Sequence, residues 1–464
     1  MGRKSQSQTL VLWANGQCVG RWTTPTRGDM ELQYERVWQN SELGRPLSLS
    51  LPFNLYGEPI KGDSVANYFD NLLPDSTDIR KRVALRFKTG SLEPFNLLRA
   101  IGRDCVGAIQ LLAQGEDPAG LEKIEGVEMS EEDIERHLLE VVSPEHSGVS
   151  PDPEDDFRIS LAGAQEKDAY LWWKGKWLKP RGSTPTTHIF KLPVGMVGGR
   201  RADFSTSVDN EWLCMKLLQA YGLPTANVEI ATFGHQRVLN VERFDRRLSV
   251  SGETLLRLVQ EDFCQATGTS PLRKYESDGG PGLKRIFPIL QQSATAQEDM
   301  RTFMAAQILF WMLRAPDGHA KNFSIQLLAG AASRFHLTPV YDVMSAYPAI
   351  GAGPSQWADQ EVRLAMALDG KSRHYQMHTI LRRHFSSTAK LVGYGADAEV
   401  LVRELIEKTP LAIEQVQRQI PAGFSQQVVD SVLAGLSNAA QQLEAQAPKA
   451  VSRQRVSEGG KGHY

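Results

Sequence analysis

A run at residues 303–313, F-M-A-A-Q-I-L-F-W-M-L, is apolar but for one glutamine and leads straight into a polar cluster, A-P-D-G-H-A-K-N-F-S-I. A helix of that composition is buried on nearly all sides, so the following loop opens at the edge of a core. A polar group left without a partner there costs roughly 1–3 kcal/mol, and several in one loop point to a site. Asp317 and Asn322 stand as Asp-x-x-x-x-Asn, and Asp342 follows in L-T-P-V-Y-D-V. Phosphoryl transfer to a hydroxyl needs a carboxylate to take the proton, an amide oxygen on magnesium and a second carboxylate on that metal. A four-residue gap lets one turn aim Asp317 and Asn322 into one pocket. Asp-Gly is also an ordinary turn pair, and Asn322 an ordinary strand cap. The buried helix in front favours the site.

The 464 residues give room for two or three domains. A net charge of −2 excludes a global basic field for nucleic acid, so any DNA contact has to be local or borrowed from a partner. Cys18, Cys105, Cys214 and Cys264 are scattered with no C-x-x-C, which predicts a reducing compartment. The start, M-G-R-K-S-Q-S-Q, is polar and runs into a strand and turn. No apolar run approaches the roughly 18 residues of a membrane span. The expectation is a cytoplasmic protein with no membrane partner.

Read in order, residues 10–22 form a hairpin turning at Asn15-Gly16. Alternation predicts strands at 30–38 and 47–51, then a helix capped by Asp63 or Ser64 and another over 75–88. Ser130 with Asp133 makes a capping box for a helix through Val142. The proline-rich, acidic stretch 144–156 reads as a linker. After it come a strand breaking into a small-residue loop at 157–167, a hairpin turning at Gly175 and a short buried strand at 187–193. An amphipathic helix follows from Ser207 to Gly222, then two strands, and from Glu261 onward the pattern is mostly helical. This divides the chain into a β-rich segment (1–150), a strand-rich segment (151–262), a helical segment (263–450) and a polar tail (451–464). The first segment reads as scaffold and contact surface.

Four further motifs fit around the loop. Gly163, between alanines, lets backbone N–H groups approach anionic oxygens; a strand end has the same composition. Lys191 sits among apolar neighbours on an interior strand, positioned for phosphate, or it snorkels from an edge. Glu211 on the next helix is placed to pair with it. V-E-R-F-D-R at residues 241–246 matches a hinge whose backbone holds adenine, and equally any amphipathic strand. His319 is placed to contact phosphate or support Asp317, although most histidines in such loops are structural.

With these residues assembled, the chain resembles the HipA-type serine/threonine kinases, toxins of type II toxin–antitoxin modules. The resemblance rests on P-L-S-L-S-L-P, Y-F-D-N-L-L-P-D-S, I-G-R-D-C-V-G-A, D-F-R-I-S-L-A-G-A-Q-E-K, T-P-T-T-H-I-F-K-L-P, V-E-R-F-D-R-R, K-Y-E-S-D-G-G-P-G and D-G-H-A-K-N-F-S. It implies an α+β, two-lobed protein-kinase-like fold, related to phosphoinositide kinases, with a β-rich N-terminal region and an all-helical C-terminal lobe. It implies ATP and Mg²⁺, with Asp317 as catalytic base, Asn322 and Asp342 on the metal and Lys191 on phosphate. Ala162, Gly163, Ala164, Gln165, Glu166 and Lys167 would cover the nucleotide. Glu242, Arg243 and Phe244 would hold adenine, and His319, Lys321 and Tyr341 would line the site. Ser160 falls at the family's autophosphorylation serine, where a phosphate would pull the loop out of the pocket. The implied substrate is glutamyl-tRNA synthetase, and the implied partner a HipB-type helix-turn-helix antitoxin dimer that carries the complex to operator DNA. A direct DNA phosphate contact would fall to Arg382, Arg383 or Lys390. A small-molecule kinase and a non-catalytic, nucleotide-responsive co-repressor scaffold remain as alternatives. Metal-dependent hydrolysis through Asp317, His319 and Asp342 is disfavoured, because too few histidines cluster to bind a transition metal.

Overall fold

The structure is a computed structural model describing residues 7–54, 56–118, 123–142, 159–163, 165–197, 202–330 and 334–448. The stretch read as a linker, the polar tail and Ala164 lie outside the described residues.

The first hairpin forms as Asn15-Gly16 requires. Gln8–Ala14 pairs with Gln17–Thr24, and φ is 48° at Asn15 and 82° at Gly16, the positive values a two-residue hairpin turn takes. Glu31–Tyr34, Ile60–Lys61 and Ile109–Ala113 complete a five-stranded antiparallel sheet. Its inner residues pack on the helices Asp63–Asp70 and Pro94–Ile101, with Trp22 stacked on Phe69 at 3.9 Å. The strand expected over 30–38 stops at Tyr34, and Arg36–Gln39 is a helical turn.

Residues 47–51 form no strand. Leu47, Ser48 and Leu51 are buried, but their backbone binds side chains instead of a ladder. Tyr34 Oη accepts from the Leu47 N–H at 2.9 Å, and Glu261 accepts from the Leu49 N–H at 2.8 Å. The helix expected over 75–88 is Thr77–Arg86, capped by Ser76. The capping box forms, with Ser130 Oγ accepting from the Asp133 N–H and the Asp133 carboxylate from the Ser130 N–H, both at 3.1 Å.

The second sheet has six antiparallel strands in the order Val228–Phe233, Gln236–Glu242, His188–Lys191, Lys167–Trp173, Lys176–Pro180, Gly126–Glu128. One face carries Tyr170, Phe190, Phe233 and Val238 under Ile134 and Leu138 of the helix Glu131–Val142. By packing, then, residues 126–142 belong with this sheet, ahead of the acidic stretch. The other face is covered by the helix Ser207–Ala220, which also packs on Glu399–Gln417. That helix is buried on almost every side rather than amphipathic, because sheet and helix enclose it together.

Leu283–Leu290, Ala296–Met312, Arg382–Leu391, Glu399–Gln417 and Gln426–Ala445 are the main helices of the last segment. It is helical in bulk rather than throughout. Gln260–Asp262, Ser324–Leu327 and Phe335–Leu337 form a three-stranded sheet, and Arg363–Asp369 pairs with Arg373–Gln376. The boundary at 262/263 therefore falls just after a strand that pairs with the last segment. One apolar core runs from Leu10 to Leu443. No helix among the described residues is long and apolar enough to cross a membrane, and all four cysteines are free.

Candidate active site

Successive residues of a strand face opposite sides of a sheet, so Phe190 joins the aromatic cluster on one face while Lys191 enters the cleft on the other. The Lys191 ammonium lies 2.6 Å from Glu211 Oε1 and 2.7 Å from Asp342 Oδ1. Sheet, helix and the segment after the catalytic loop thus meet at one nitrogen. Burial alone would lower the Lys191 pKa, but Asp342 and Glu211 hold it above the ordinary lysine range. Burial pushes Glu211 up to about 7 against the pull of Lys191. Asp342 goes the other way: burial opposes ionisation, yet Lys191 and Lys167 hold it at about 2. Asp342 also has a φ of 61°, a left-handed conformation that aspartate tolerates better than most residues.

The loop after the helix Ala296–Met312 is closed by its own backbone. The Asp317 carbonyl accepts from the His319 N–H and from the Asn322 carboxamide nitrogen, both at 2.8 Å. Asn322 thereby commits its donor side to the loop, and its carboxamide oxygen is the end left for a cation. Gly318 is required here, since a Cβ would lie 2.3 Å from the Phe310 ring. Tyr275 donates its hydroxyl hydrogen to Asp317 Oδ1, and its ring stands edge-on to His319 at 5.0 Å. His319 is buried, with Nε2 3.6 Å from Asp317 Oδ1 and Nδ1 without a partner among the described residues. Burial lowers its pKa despite Asp317, which favours the neutral ring.

Ile159–Ser160 pairs in parallel with Asp104–Cys105. Ser160 is fully buried and donates to the Leu72 carbonyl at 2.8 Å. Gly163 has a φ of 110° and lies against the end of Lys167. Gln165 donates to the Leu192 carbonyl and Glu166 pairs with Arg82. Lys167 donates to the Ala162 carbonyl and contacts no carboxylate among the described residues. Burial, with Lys191 nearby, lowers Lys167 to about 8, as expected of an ammonium short of countercharge.

At the hinge, the Glu242 N–H donates to the Asn227 carbonyl and the Arg243 N–H to the Thr187 carbonyl. The Phe244 N–H has no partner among the described residues, and its ring lies 5.7 Å from Tyr341. The Arg243 side chain turns away from the cleft into a buried ion cluster with Asp104 and Asp245, joined by Arg246 and Arg257. Arg243 is left only its backbone for a hinge role. Tyr341 donates to the Lys321 carbonyl at 2.9 Å.

Of the expected nucleotide-site residues that the structure describes, all but Glu166 line one cavity of about 1090 Å³, which Ser160 does not reach and which also admits Asn71, Asp75, Asp262, Gln265, Lys274 and Tyr275. The motifs Y-F-D-N-L-L-P-D-S and K-Y-E-S-D-G-G-P-G contain Asn71, Asp75, Lys274 and Tyr275, whose spacing matches no chemical pattern. Lys321, expected to line the site, spends its ammonium on the Asn71 carbonyl and side-chain oxygen and on Asp75, each at 3.1 Å. Burial raises the Asp75 carboxyl, and Lys321 and Lys274 together bring it below the usual range. The donor set suits a hard cation beside an anion: carboxylate and carboxamide oxygens at Asp342 and Asn322, with the ammonium of Lys167 unneutralised. Among the described residues no cluster of three histidine, cysteine or acidic side chains offers a transition-metal site.

One expected contact is overturned. Arg382 is buried, bonded to Glu399 at 2.8 Å and to the Leu443 carbonyl at 3.0 Å. It fastens two helices and cannot reach a DNA phosphate. Arg383 and Lys390 are exposed on the same helix.

A strand lysine paired with a helix glutamate, facing an Asp-x-x-x-x-Asn loop and a following aspartate between a β-rich and a helical lobe, defines a kinase-like α+β fold. The chain belongs to the HipA family: the family model described as HipA-like C-terminal domain matches residues 159–415, and that described as HipA N-terminal domain matches residues 10–112. It is 34% identical over 371 residues to protein Y4mE of Sinorhizobium fredii, covering 78% of this chain and 84% of that one. It is 28% identical over 442 residues to the serine/threonine-protein kinase toxin HipA of Shewanella oneidensis, covering 90% and 91%. The fold matches the Shewanella oneidensis HipA structure solved with HipB and operator DNA, with a TM-score of 0.75, 23% identity and coverage of 94% and 97%.

Proposed function

We propose that this chain is an ATP- and Mg²⁺-dependent serine/threonine protein kinase acting as the toxin of a toxin–antitoxin pair. The observation that carries the reading is Lys191 bridging Glu211 and Asp342 in the cavity that also holds Asp317 and Asn322. In this role Asp317 accepts the proton of the acceptor hydroxyl, oriented by its bond from Tyr275. Asn322 and Asp342 hold the cation, and Lys191 and Lys167 face the phosphates. The backbone of Glu242, Arg243 and Phe244 receives adenine. A bound Mg²⁺ supplies neutralisation of the charge on the transferring phosphoryl oxygens.

The relative's name supports serine or threonine as acceptor, and its solved complex supports a HipB-type antitoxin and operator DNA as partners; that the antitoxin is a helix-turn-helix dimer rests on the family resemblance. Operator contact passes mainly through the antitoxin, with Arg383 and Lys390 the surface charges left for a phosphate touch. Glutamyl-tRNA synthetase is the acceptor to try first, on the family resemblance, and Ser160 is the autophosphorylation residue.

The test is incubation with labelled ATP and Mg²⁺, with and without the synthetase, beside an Asp317→Asn chain. Phosphoserine on Ser160 and on the synthetase, absent with Asp317→Asn, is the expected result. Equal labelling by both chains, or none by either, overturns the reading.

A further inference from the structure

The N-terminal segment reads from sequence as scaffold, yet residues 71–75 touch both loops that face each other across the cleft. Asn71 caps the helix Asp63–Asp70 and is pinned by its carboxamide nitrogen to the carbonyls of Asn67 and Thr269, at 2.8 and 2.9 Å. Its carbonyl and side-chain oxygens both accept from Lys321 of the catalytic loop at 3.1 Å. Leu72 gives its carbonyl to Ser160 at 2.8 Å. Pro74 bridges in parallel to Gly163.

Asp75 is the junction. Its backbone N–H donates to the Gly163 carbonyl at 2.9 Å, holding the loop that faces the phosphates. Its carboxylate lies 3.1 Å from Lys321 Nζ and 2.8 Å from Lys274 Nζ. Lys274 in turn precedes Tyr275, whose hydroxyl holds Asp317. The side chain is only 13% exposed, so water supplies little alternative solvation to either ammonium. One residue thus ties the phosphate loop, the catalytic loop and the tyrosine that orients the base. The neighbouring Asp70 makes a comparable ion pair with Arg80 at 2.7 Å, but it does not line the cavity.

We infer that Asp75 is a positioning residue: it locks the loop at 159–167 and the loop at 317–322 into one register, so the N-terminal segment assembles the site and transmits the position of one loop to the other. The inference rests on the kinase reading for its catalytic consequence, though not for its structural one.

The test compares the full chain with Asp75→Asn, which keeps the backbone bond and removes the charge, and with Asp70→Asn. Amide hydrogen exchange without nucleotide and initial rates with ATP are both measured. The expected result for Asp75→Asn is exchange about tenfold faster in the peptides covering 159–163 and 317–323. The turnover number falls about 10- to 100-fold, more than KM for ATP changes. Asp70→Asn leaves both readouts at wild-type values. Asp75→Glu, which restores the charge, recovers most of the loss in both. Unchanged exchange in Asp75→Asn, or an equal loss in Asp70→Asn, overturns the inference while an active wild-type chain leaves the kinase reading standing. A wild-type chain without ATP-dependent labelling overturns the kinase reading, and the exchange result still decides the loop coupling.

Discussion

Lys191 Nζ lies 2.7 Å from Asp342 Oδ1, so a residue of the central sheet directly latches the aspartate that follows the catalytic loop. With Glu211 at 2.6 Å on the other side, one buried cation faces a buried glutamate and a partly exposed aspartate. Breaking a buried pair by removing one partner costs about 3–5 kcal/mol, because the partner's charge is stranded. Lys191→Met is therefore expected to lower the melting temperature by several degrees and turnover by more than about 100-fold. Thermal unfolding and phosphorylation rates check this. Glu211→Gln, which leaves Lys191 with Asp342, is expected to be milder on both.

Glu261 carries the pH dependence. Burial raises its carboxyl from 4.5 to about 8, and no cation among the described residues counters it. Its folded pKa lies above its unfolded one, so its contribution is fully favourable below 4.5 and is lost as pH rises towards 8. The slope in that window is about 1.4 kcal/mol per pH unit at most. Glu261→Gln keeps an acceptor for the Leu49 N–H. It should match wild type in urea unfolding at pH 4.5 and exceed it at pH 8. Equal stability at pH 8 would refute the assignment.

The two glycines of the cleft should separate binding from folding. At Gly163 an alanine meets the flexible end of Lys167 at 2.5 Å and takes a left-handed φ of 110°, a strain of roughly 1–2 kcal/mol. The expected result for Gly163→Ala is a KM for ATP raised about tenfold with the fold intact. At Gly318 the obstacle is the Phe310 ring at 2.3 Å, inside the core. Gly318→Ala should lose about 1–3 kcal/mol by overpacking, seen as a lower melting temperature.

Ser160 has no room for a phosphate where it stands, since it is fully buried against the Leu72 carbonyl. A group near −2 in charge forces the segment out. Ser160→Ala forfeits one hydrogen bond, about 1 kcal/mol, and is expected to phosphorylate its substrate at a constant rate, whereas wild type is expected to lose activity progressively. Progress curves with phosphopeptide mass spectrometry distinguish the two chains.

Local chemistry was legible where it was local. Asn15-Gly16 gave its hairpin and Ser130 with Asp133 its capping box, because each needs only a few neighbouring residues. The spacing of Asp317 and Asn322 brought both into one cavity, and Lys191, Glu211 and Asp342 converge there. What stayed hidden depends on partners far along the chain. Lys321 meets Asn71 across 250 positions, and no periodicity records that. Residues 47–51 read like a strand, but the side chains of Tyr34 and Glu261, not a neighbouring strand, bind their backbone. Arg382 sits in a basic stretch, and only the approach of Glu399 and the end of the helix Gln426–Ala445 shows that its charge faces inward.

Asp104 comes from the N-terminal segment, whereas Arg243, Asp245 and Arg246 come from the hinge, and their charges interlock without solvent between them. A pivot at that point would have to drag two buried guanidinium groups past two buried carboxylates. The hinge wall is therefore a fixed jaw, and any opening of this cleft has to swing from its opposite side, at the loop around Gly163.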